Sequence, residues 1–539
     1  MTYDPRGQRG EGGGGAAGSE RELKFIADPQ TLKDALAAPL LGGGAGAGAP
    51  AWRELRTLYF DTDDGALSRA RVALRVRRSQ DGSVMGLKRA AANDRGMFER
   101  EETEVAVPSG GPDLSLFDKA LAREVTDVTG GKPLAPRFGS DVRRAARTVA
   151  VEGAAIEVAF DDGFLFAGDR REPIAEIELE LKSGPPCALF DLGLGLVEAF
   201  PVRLGLRSKA ERAHALLVPE PPAPVRADDP ALRPAMILDE AIAAVVRNCL
   251  AHFLGNLPAL EGGDRVEAVH QMRVGMRRLR SAMDLFGKAF PTSEIDALRA
   301  EAKRIGTVLG GARDWDVFVE RLRGGALARF AREPGFDLLI AAAEAKAAAG
   351  HAAVARLEDD KTVARFALKI ERLAAGRAWR EGGAEEALAA LNAPVAAFAA
   401  RALDKLDRKV TKRGHRFQSL TPEARHKLRI GLKHMRYATE FFGGLFDAGA
   451  AGRFVKKASS LQDALGERND AVIALRLVED LAAPDPAGAG AFAHASGVVT
   501  GWCAREGEGD AGALDKDWRR VVKAASSWRK DYDKRVEPA

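Results

Sequence analysis

The sequence predicts an α+β protein in which a domain of β-strands is followed by a separate all-α domain. Two observations support this fold class. From Glu20 to about Leu217, apolar and polar residues alternate in short runs separated by glycine, aspartate and proline, which is the pattern of half-buried strands. From about Ala235 onward, alanine, leucine, arginine and glutamate recur with helical period in long segments.

Length and composition fit two soluble globular domains. A chain of 539 residues exceeds what one hydrophobic core usually accommodates. The 81 basic and 77 acidic side chains nearly cancel, so the position of the charges matters more than the net charge of +4. Cys187, Cys249 and Cys503 lie far apart with no C-x-x-C spacing, which argues against a disulfide framework or a thiolate metal site.

Composition also predicts where the domains begin and end. Residues 1–18 are glycine-rich and are expected to form a disordered leader. Residues 19–217 form the strand domain, residues 218–234 (VPEPPAPVRADDPALRP) a proline-rich linker, and residues 235–539 the helical domain. No apolar run approaches the roughly 20 residues of a membrane span, and the N-terminus lacks an apolar signal core, so we expect a cytoplasmic protein without a membrane partner.

Several predicted strands carry charged residues at every second position. In SERELKF (19–25), Glu20, Glu22 and Lys24 share one face, because side chains two residues apart lie on the same side of a strand. A solvated strand edge would explain one such row. The pattern recurs in LRVR, EREETEV and IAEIELELK, with the same-face charges Arg75 and Arg77, then Arg100, Glu102 and Glu104, then Glu176, Glu178, Glu180 and Lys182. A closed antiparallel barrel would turn such rows inward around a polar cavity.

A cavity lined by charges of both signs favours a particular ligand chemistry. Arginine and lysine bind phosphate oxygens, whereas clustered carboxylates repel phosphate unless a divalent cation lies between them. Magnesium prefers oxygen ligands and bridges carboxylates to substrate phosphates. The strand domain is therefore predicted to bind a polyphosphate together with a divalent metal ion.

Over about residues 20–215 the sequence resembles the CYTH superfamily, the triphosphate tunnel metalloenzymes, which are eight-stranded closed barrels that act on triphosphates. The motifs occur in the family's order, namely E-x-E-x-K at Glu20, LYFDT at 58–62, LRVR, LK at Lys88, Arg144, EVAFDDG, EIELELKSG and RLGLRSKAER. The resemblance implies a closed eight-stranded antiparallel barrel. It also implies metal-dependent hydrolysis of inorganic triphosphate to pyrophosphate and phosphate.

Site residues follow from the same resemblance. One or two Mg²⁺ or Mn²⁺ ions are expected on the carboxylates of Glu20, Glu22, Asp161, Glu176, Glu178 and Glu180. The phosphate chain is expected to contact Lys24, Arg75, Arg77, Lys88, Arg100, Arg144, Arg203 and Lys209. Glu20, Glu22 and Lys24 are the expected catalytic residues. At two places the sequence leaves open which of two neighbouring residues belongs to the site, Arg143 or Arg144 and Asp161 or Asp162. Salt bridges at the barrel rim are the alternative role for Glu104, Glu180, Lys182 and Arg203.

The helical domain contains an internal repeat. HQMRVGMRRLRSAMDLF (270–286) and HKLRIGLKHMRYATEFF (426–442) are offset by 156 residues, and the same offset aligns Asp314 with Asp470. Each segment places cations beside an apolar stripe, so two similar helical units should follow one another. The cations are His270, Arg273, Arg277 and Arg280 in the first segment and His426, Arg429, Lys433 and Arg436 in the second.

These rows of cations predict an anionic ligand. A solvated basic face is the usual alternative, but Arg273 and Arg429 are followed four positions later by the basic residues Arg277 and Lys433, which offer them no helix-surface ion pair. Nucleic acid is the weaker candidate ligand, because neither segment interleaves aromatic stacking residues with its cations. A metal site at His270 or His426 is not expected, because neither repeated segment contains a second histidine or a carboxylate at ligand spacing.

Roughly residues 235–520 resemble the CHAD domain, a helical domain associated with inorganic polyphosphate. The matching motifs include LGGARDWDV and LQDALGERNDA besides the two repeated segments. The resemblance implies paired four-helix units and adds Lys427 to the polyphosphate-binding residues, with Arg313 and Asp314 shaping loops. Association with polyphosphate granules would be a consequence. An adenylate cyclase of the class IV barrel type, or a non-catalytic polyphosphate-binding protein, is the alternative function.

Overall fold

The computed structural model describes residues 18–44, 50–90, 99–108, 111–483, 485–506 and 514–525. The chain divides into two compact units, Met1–Glu220 and Pro221–Ala539. The first unit is built on an antiparallel sheet and the second is helical, so the α+β prediction is confirmed. The expected disordered leader lies outside the described residues except for its last position.

The strands of the first unit form one antiparallel sheet. They are β1 (Gly18–Ile26), β2 (Arg53–Asp61), β3 (Val72–Ser79), β4 (Gly82–Ala90), β5 (Glu99–Val107), β6 (Ala135–Val151), β7 (Ala154–Ala167), β8 (Arg170–Ser183) and β9 (Arg203–Leu204). Their order across the sheet is β5-β4-β3-β2-β6-β7-β8-β1-β9. Most neighbours in this order are also neighbours along the chain, which is typical of an antiparallel meander.

The prediction of a closed eight-stranded barrel is wrong. The described residues contain nine strands, because the two-residue β9 pairs with Phe25 and Ile26 of β1. At the other end of the order, β5 meets β1 only at residues 18–21, whereas β8 pairs with residues 22–26. No residue of β1 is therefore paired with both β5 and β8 in these registers. In a closed barrel, each strand would pair with neighbours on both sides along its length.

The two faces of the sheet differ in polarity, as the alternation of residues predicts. On β1, Leu23 and Phe25 are buried in an apolar core, and Glu22 and Lys24 line a cavity on the other face. Helices cover the apolar face, because α1 and α4 pack on β7 and β8, and residues of α3 join the core formed by β3 and β4. The charged face is thus left to surround the cavity.

The α-helices in the described part of the first unit are α1 (Pro29–Ala37), α2 (Ala66–Arg69), α3 (Lys119–Thr129), α4 (Pro186–Ala199) and α5 (Lys209–Leu217). The second unit contains α6 (Leu238–Leu254), α7 (Leu257–Gly262), α8 (Arg265–Phe286), α9 (Ser293–Arg323), α10 (Phe336–Asp359), α11 (Thr362–Gly376), α12 (Glu385–Leu391), α13 (Val395–Arg413), α14 (Pro422–Phe442), α15 (Ala448–Glu479) and α16 (Ala489–Glu506). Residues 514–525 are also helical.

The sequence repeat corresponds to a structural repeat. The offset of 156 residues carries α8 onto α14 and α9 onto α15 to within one residue at their ends. In the first half α6 packs on α8, α8 on α9 and α9 on α10, and in the second half α13 packs on α14, α14 on α15 and α15 on α16. The two halves meet where α8 contacts α14, α9 contacts α15 and α10 contacts α16.

The proline-rich segment is not a free spacer along its whole length. From Pro221 onward it belongs to the helical unit. The fully buried side chain of Asn256 fixes it, because its Oδ1 accepts a hydrogen bond from Val225 N at 2.8 Å and its Nδ2 donates to Val225 O at 2.9 Å. A buried side-chain amide whose donors and acceptors are paired holds the backbone in place.

One helix in the described part of the chain, α10, is long and apolar enough to cross a membrane by length and composition. Its most apolar window has a mean hydropathy of 1.3. One such helix is a weak indication, because core helices of soluble proteins pass the same test. Glu344 and Lys346 interrupt its alanine-rich sequence, so α10 does not stand out as a continuous apolar run.

Candidate functional site

Three buried carboxylates lie together on β7 and β8. Asp161 pairs directly with Glu176 in the register of these strands, and Glu178 follows two positions later on the same face. One oxygen from each side chain lies within 4.8 Å of the others. Asp161 and Glu176 are fully buried. We call Asp161, Glu176 and Glu178 the carboxylate cluster.

Arg144 and Lys209 each contact more than one member of the carboxylate cluster. Arg144 lies opposite Asp161 in the β6–β7 register and donates from Nε and Nη2 to its two oxygens, each at 2.6 Å. Lys209, the first residue of α5, places Nζ 2.8 Å from Asp161, 2.5 Å from Glu176 and 2.7 Å from Glu178. Arg144 also reaches Glu178.

Two further cations contact single members of the cluster. Lys24 Nζ lies 3.1 Å from Glu178, and Arg212 of α5 forms an ion pair with Glu176. Arg212 also contacts Glu172 on β8. Sequence reasoning missed Arg212, although it follows Lys209 by three residues and therefore lies on the same side of the helix.

These contacts keep Asp161 and Glu178 ionised. Burial opposes ionisation of Asp161, but Arg144 and Lys209 outweigh it and hold the pKa of this carboxyl below its usual value. Burial likewise opposes ionisation of Glu178, yet Lys209, Lys24 and Arg144 hold its pKa well below the usual range. The cluster is therefore an anionic site enclosed by cations.

A second group of charges lies on β3, β4 and β5. Arg75 contacts Glu102 at 2.5 Å and Glu104 at 2.8 Å, and Lys88 contacts Glu102 at 2.9 Å. Within the described residues, the neighbouring Arg77 has no hydrogen bond and no ion pair. The nearby Arg75 guanidinium, followed by burial, lowers the pKa of Arg77 to about 10, so Arg77 still carries its charge at neutral pH.

Both groups border one cavity of about 830 Å³. Residues of strands β1 to β8 and of α5 line it, including Glu22, Lys24, Arg75, Arg77, Lys88, Glu102, Glu104, Arg144, Glu157, Glu178, Glu180, Lys182 and Lys209. The buried Oε2 atom of Glu176 accepts no hydrogen bond of acceptable geometry, although Lys209 Nζ lies 2.5 Å away. A buried oxygen in this condition, next to two other carboxylates, suits a hard cation such as Mg²⁺ or Mn²⁺.

The repeated helices of the second unit bring their cations together. Arg273 and Arg277 on α8 lie close enough to Arg429 and Lys433 on α14 to alter their ionisation. Burial and then the nearby guanidinium groups of Arg277 and Arg429 lower the pKa of Lys433 to about 7. We call Arg273, Arg277, Arg429 and Lys433 the basic cluster. Among the described residues, Lys433 has neither a hydrogen bond nor an ion pair.

The other cations of the two rows differ in their contacts. Arg273 is held by Asp314 at 2.9 Å, and Arg436 by Glu440 at 2.5 Å. Burial, followed by the Arg313 charge, lowers the pKa of the half-buried His270. The expectation that Arg313 and Asp314 shape a loop is wrong, because both lie inside α9.

Comparison with known families identifies the two units. A family model for the CYTH domain matches residues 18–213, and a family model for the CHAD domain matches residues 244–479. The chain is a CYTH domain followed by a CHAD domain. Both expected resemblances are thus confirmed, in the expected order.

Relatives of each domain are known. An inorganic triphosphatase of Haemophilus influenzae is 31% identical over 171 residues, which is 30% of this chain and 46% of the relative. The match thus spans about half the length of that relative. A CHAD domain structure from Ricinus communis is 32% identical, with a TM-score of 0.47, and covers 57% of this chain and 97% of the other. A Hippeastrum protein whose structure is described with a dominant triphosphatase activity is 23% identical, with a TM-score of 0.28, over 36% of this chain and 95% of the other.

The CYTH domain brings most of the predicted site residues to one place. Glu22, Lys24, Arg75, Arg77, Lys88, Arg144, Glu178, Glu180 and Lys209 line the cavity, and Asp161 and Glu176 complete the carboxylate cluster. Arg203 lies in β9, is exposed and does not appear among the cavity-lining residues. The side chains of Glu20 and Arg100 lie outside the described residues, so their roles stay predictions.

The predicted residues of the CHAD domain fall into two groups. His270, Arg277, Arg280, Arg429, Lys433 and Arg436 are partly buried on α8 and α14, as is Arg273. His426 and Lys427 are exposed near the start of α14. Lys427 precedes Arg429 by two residues and therefore lies about 200° away around the helix, so the structure does not place Lys427 in the basic cluster.

Proposed function

We propose that the CYTH domain is a metal-dependent hydrolase that cleaves inorganic triphosphate into pyrophosphate and phosphate. The observation that carries the proposal is the cavity lined by Glu178 of the carboxylate cluster and by the cations of β3, β4 and β6, with Asp161 and Glu176 next to Glu178. The similarity to an inorganic triphosphatase supports the same reaction class.

We assign the metal to the carboxylate cluster, with Glu20, Glu22 and Glu180 as further predicted ligands. The fit depends on three carboxylates that each offer an oxygen within 4.8 Å of the others, and on the lowered pKa values of Asp161 and Glu178. When bound, Mg²⁺ or Mn²⁺ would neutralise phosphate oxygens during the reaction. Neutralisation matters because the substrate would otherwise be repelled by the same carboxylates.

The protein's own residues would bind and orient the phosphate chain. Arg77, which has no described partner, and Arg75 and Lys88, which share Glu102, supply positive charge on the side of the cavity formed by β3 and β4. Lys24 supplies it near the carboxylate cluster. Glu22 faces the cavity and would orient a water molecule toward the terminal phosphorus and accept its proton, while the P–O bond to the leaving pyrophosphate breaks.

Phosphate release provides the test. Purified protein is incubated with inorganic triphosphate, ATP or long-chain polyphosphate, in Mg²⁺, in Mn²⁺ and in chelator. We expect metal-dependent release with a preference for inorganic triphosphate. Formation of cyclic AMP from ATP without release from triphosphate would instead identify a cyclase, and absence of both reactions would leave a binding protein.

We propose that the CHAD domain binds inorganic polyphosphate at the basic cluster. Four cations from two equivalent helices converge there, and burial together with the neighbouring guanidinium groups lowers the pKa of Lys433, so these like charges repel one another. A chain of phosphates would relieve this repulsion. Binding would also bring the protein to cytoplasmic polyphosphate granules.

A competition experiment separates polyphosphate from nucleic acid. Long-chain polyphosphate labelled at one end is titrated with the protein, and an oligonucleotide with the same number of charges is then added as competitor. We expect the oligonucleotide to compete at least about tenfold less well than unlabelled polyphosphate, because the cluster has no aromatic stacking residues. Equal competition would indicate a general polyanion site.

A further inference from the structure

The ammonium of Lys209 lies among three carboxylates, whereas an ordinary salt bridge joins one cation to one carboxylate. Its Nζ lies within 2.8 Å of a carboxylate oxygen of Asp161, Glu176 and Glu178. Among the described residues it is the only cation that contacts all three members of the carboxylate cluster, since Arg144 reaches two and Lys24 and Arg212 one each. The ammonium therefore occupies the position that would suit a bound metal ion.

The structure explains why Lys209 can hold this position. It is the first residue of α5, which is fixed by a capping box in which Ser208 Oγ accepts from Glu211 N and Ser208 N donates to the Glu211 carboxylate. The side chain of Lys209 is 12% exposed, and it borders the cavity. Its flexible four-carbon stem can move the ammonium while the helix stays in place.

Three neighbouring carboxylates need a compensating charge even without a metal. Isolated buried charges are strongly unfavourable, and like charges at this spacing oppose each other's ionisation. Arg144 compensates Asp161 and Glu178 but makes no described contact with Glu176. Lys209 and Arg212 compensate Glu176. Removal of Lys209 would thus leave the cluster under-compensated unless another cation enters.

We propose that Lys209 is a built-in counter-ion that occupies the carboxylate cluster in the metal-free protein, is displaced when a divalent cation binds, and then contacts substrate phosphate. This inference rests on the metal site of the proposed function. It reconciles the phosphate-binding role predicted for Lys209 with its contacts to carboxylates. It also sets an order of binding, in which the metal ion precedes the triphosphate.

The inference is tested first by metal affinity. Mn²⁺ binding is measured by titration calorimetry for the wild type, Lys209→Met and Lys24→Met, with Lys24→Met as a control that removes an equal charge touching only Glu178. We expect Lys209→Met to bind Mn²⁺ at least about tenfold more tightly than the wild type, and Lys24→Met to change affinity by less than about threefold. An equal gain in Mn²⁺ affinity in both variants would show a general charge effect and overturn the proposed displacement of Lys209.

Thermal stability gives an independent readout without substrate. In chelator, Lys209→Met should melt at a lower temperature than the wild type, and Mn²⁺ should raise its Tm by more than it raises the wild-type Tm. A variant that is as stable as the wild type in chelator would contradict a counter-ion role.

Chemical labelling of the wild type covers the case in which Lys209→Met fails to fold. An amine-reactive reagent is applied with and without Mn²⁺, and modification is read by mass spectrometry, with the exposed Lys119 as internal reference. We expect Mn²⁺ to increase labelling of Lys209 and to leave Lys119 unchanged. Unchanged or reduced labelling of Lys209 in protein that binds Mn²⁺ would overturn the displacement.

Failure of this inference is distinguishable from failure of the proposed function. If neither the wild type nor Lys209→Met binds Mn²⁺, the metal assignment itself is wrong. If both bind it with equal affinity and Asp161→Asn does not, the metal site stands and only the exchange is overturned.

Discussion

Arg144 donates to both carboxylate oxygens of Asp161, at 2.6 Å each, from the strand position directly opposite. Their neighbours Arg143 and Asp162 are also opposite each other and pair at 2.5 Å, but these side chains are 58% and 34% exposed. A shift of one residue moves a side chain to the other face of a sheet. The same sequence motif therefore contains one enclosed and one exposed Arg–Asp pair.

This relationship gives a matched comparison. Asp161→Asn should reduce triphosphate hydrolysis at least about 100-fold and lower the free energy of unfolding by about 3 kcal/mol, because it removes a fully buried carboxylate that compensates both Arg144 and Lys209. Asp162→Asn should retain activity and cost less than about 1 kcal/mol, as expected for an exposed pair. Urea denaturation and phosphate release measure the two effects. Equal effects of both substitutions would refute the inward assignment of Asp161.

The E-x-E-x-K motif on β1 provides a second prediction. Glu20→Ala or Glu22→Ala should reduce the rate of metal-dependent hydrolysis at least about 100-fold, because a proposed metal ligand or water-orienting carboxylate is lost. Binding of polyphosphate by the CHAD domain should be unchanged. Glu54→Ala, at an exposed position on β2, is the matched control in phosphate-release and polyphosphate-binding assays. Full activity of Glu22→Ala would remove it from the site.

The basic cluster provides a third prediction, in which polyphosphate binding is weakened and triphosphate hydrolysis is kept. Arg273→Ala combined with Arg429→Ala should weaken polyphosphate binding at least about tenfold and lower the salt dependence of log Kd by about two charges, by analogy with other polyanion complexes. Triphosphate hydrolysis should persist. The control combines Arg332→Ala with Arg356→Ala, two exposed arginines in the same unit. If the control weakens binding as much, the effect is one of net charge.

The fourth prediction concerns pH. The pKa of Lys433 is lowered to about 7, so its side chain is protonated well below that pH and loses its positive charge as the pH rises through it. A phosphate chain favours the charged form, so polyphosphate affinity should be highest near pH 6 and fall toward pH 8. Lys433→Arg stays charged throughout and should flatten this part of the profile. An equally steep profile for Lys433→Arg would assign the pH dependence to another group.

Local periodicity explains how much of the fold the sequence predicts. The alternation in SERELKF and IAEIELELK identifies β1 and β8 and the face that carries their charges, because a strand repeats every two residues. The spacing of Arg273, Arg277 and Arg280 identifies α8, and the offset to Arg429 identifies α14 as its equivalent. These features need only residues close together along the chain.

Local periodicity does not predict contacts between residues that are distant along the chain. The partial pairing of β5 with β1, the extra strand β9 beside Phe25, and the position of Arg203 away from the cavity depend on how strand ends meet in space. The attachment of the proline-rich segment depends on Asn256, which is 31 residues from Val225. Proline content predicts an extended backbone but not what the backbone contacts.

Local patterns of residues are sufficient to predict the two domains, the charged faces of the strands and the repeated basic helices. Which charges meet depends on the tertiary fold. Lys209 and Glu178 are 31 residues apart, yet they touch, and this contact turns an expected phosphate ligand into a partner of the carboxylate cluster. The reason is physical, since buried carboxylates bind whichever cation the fold brings near them.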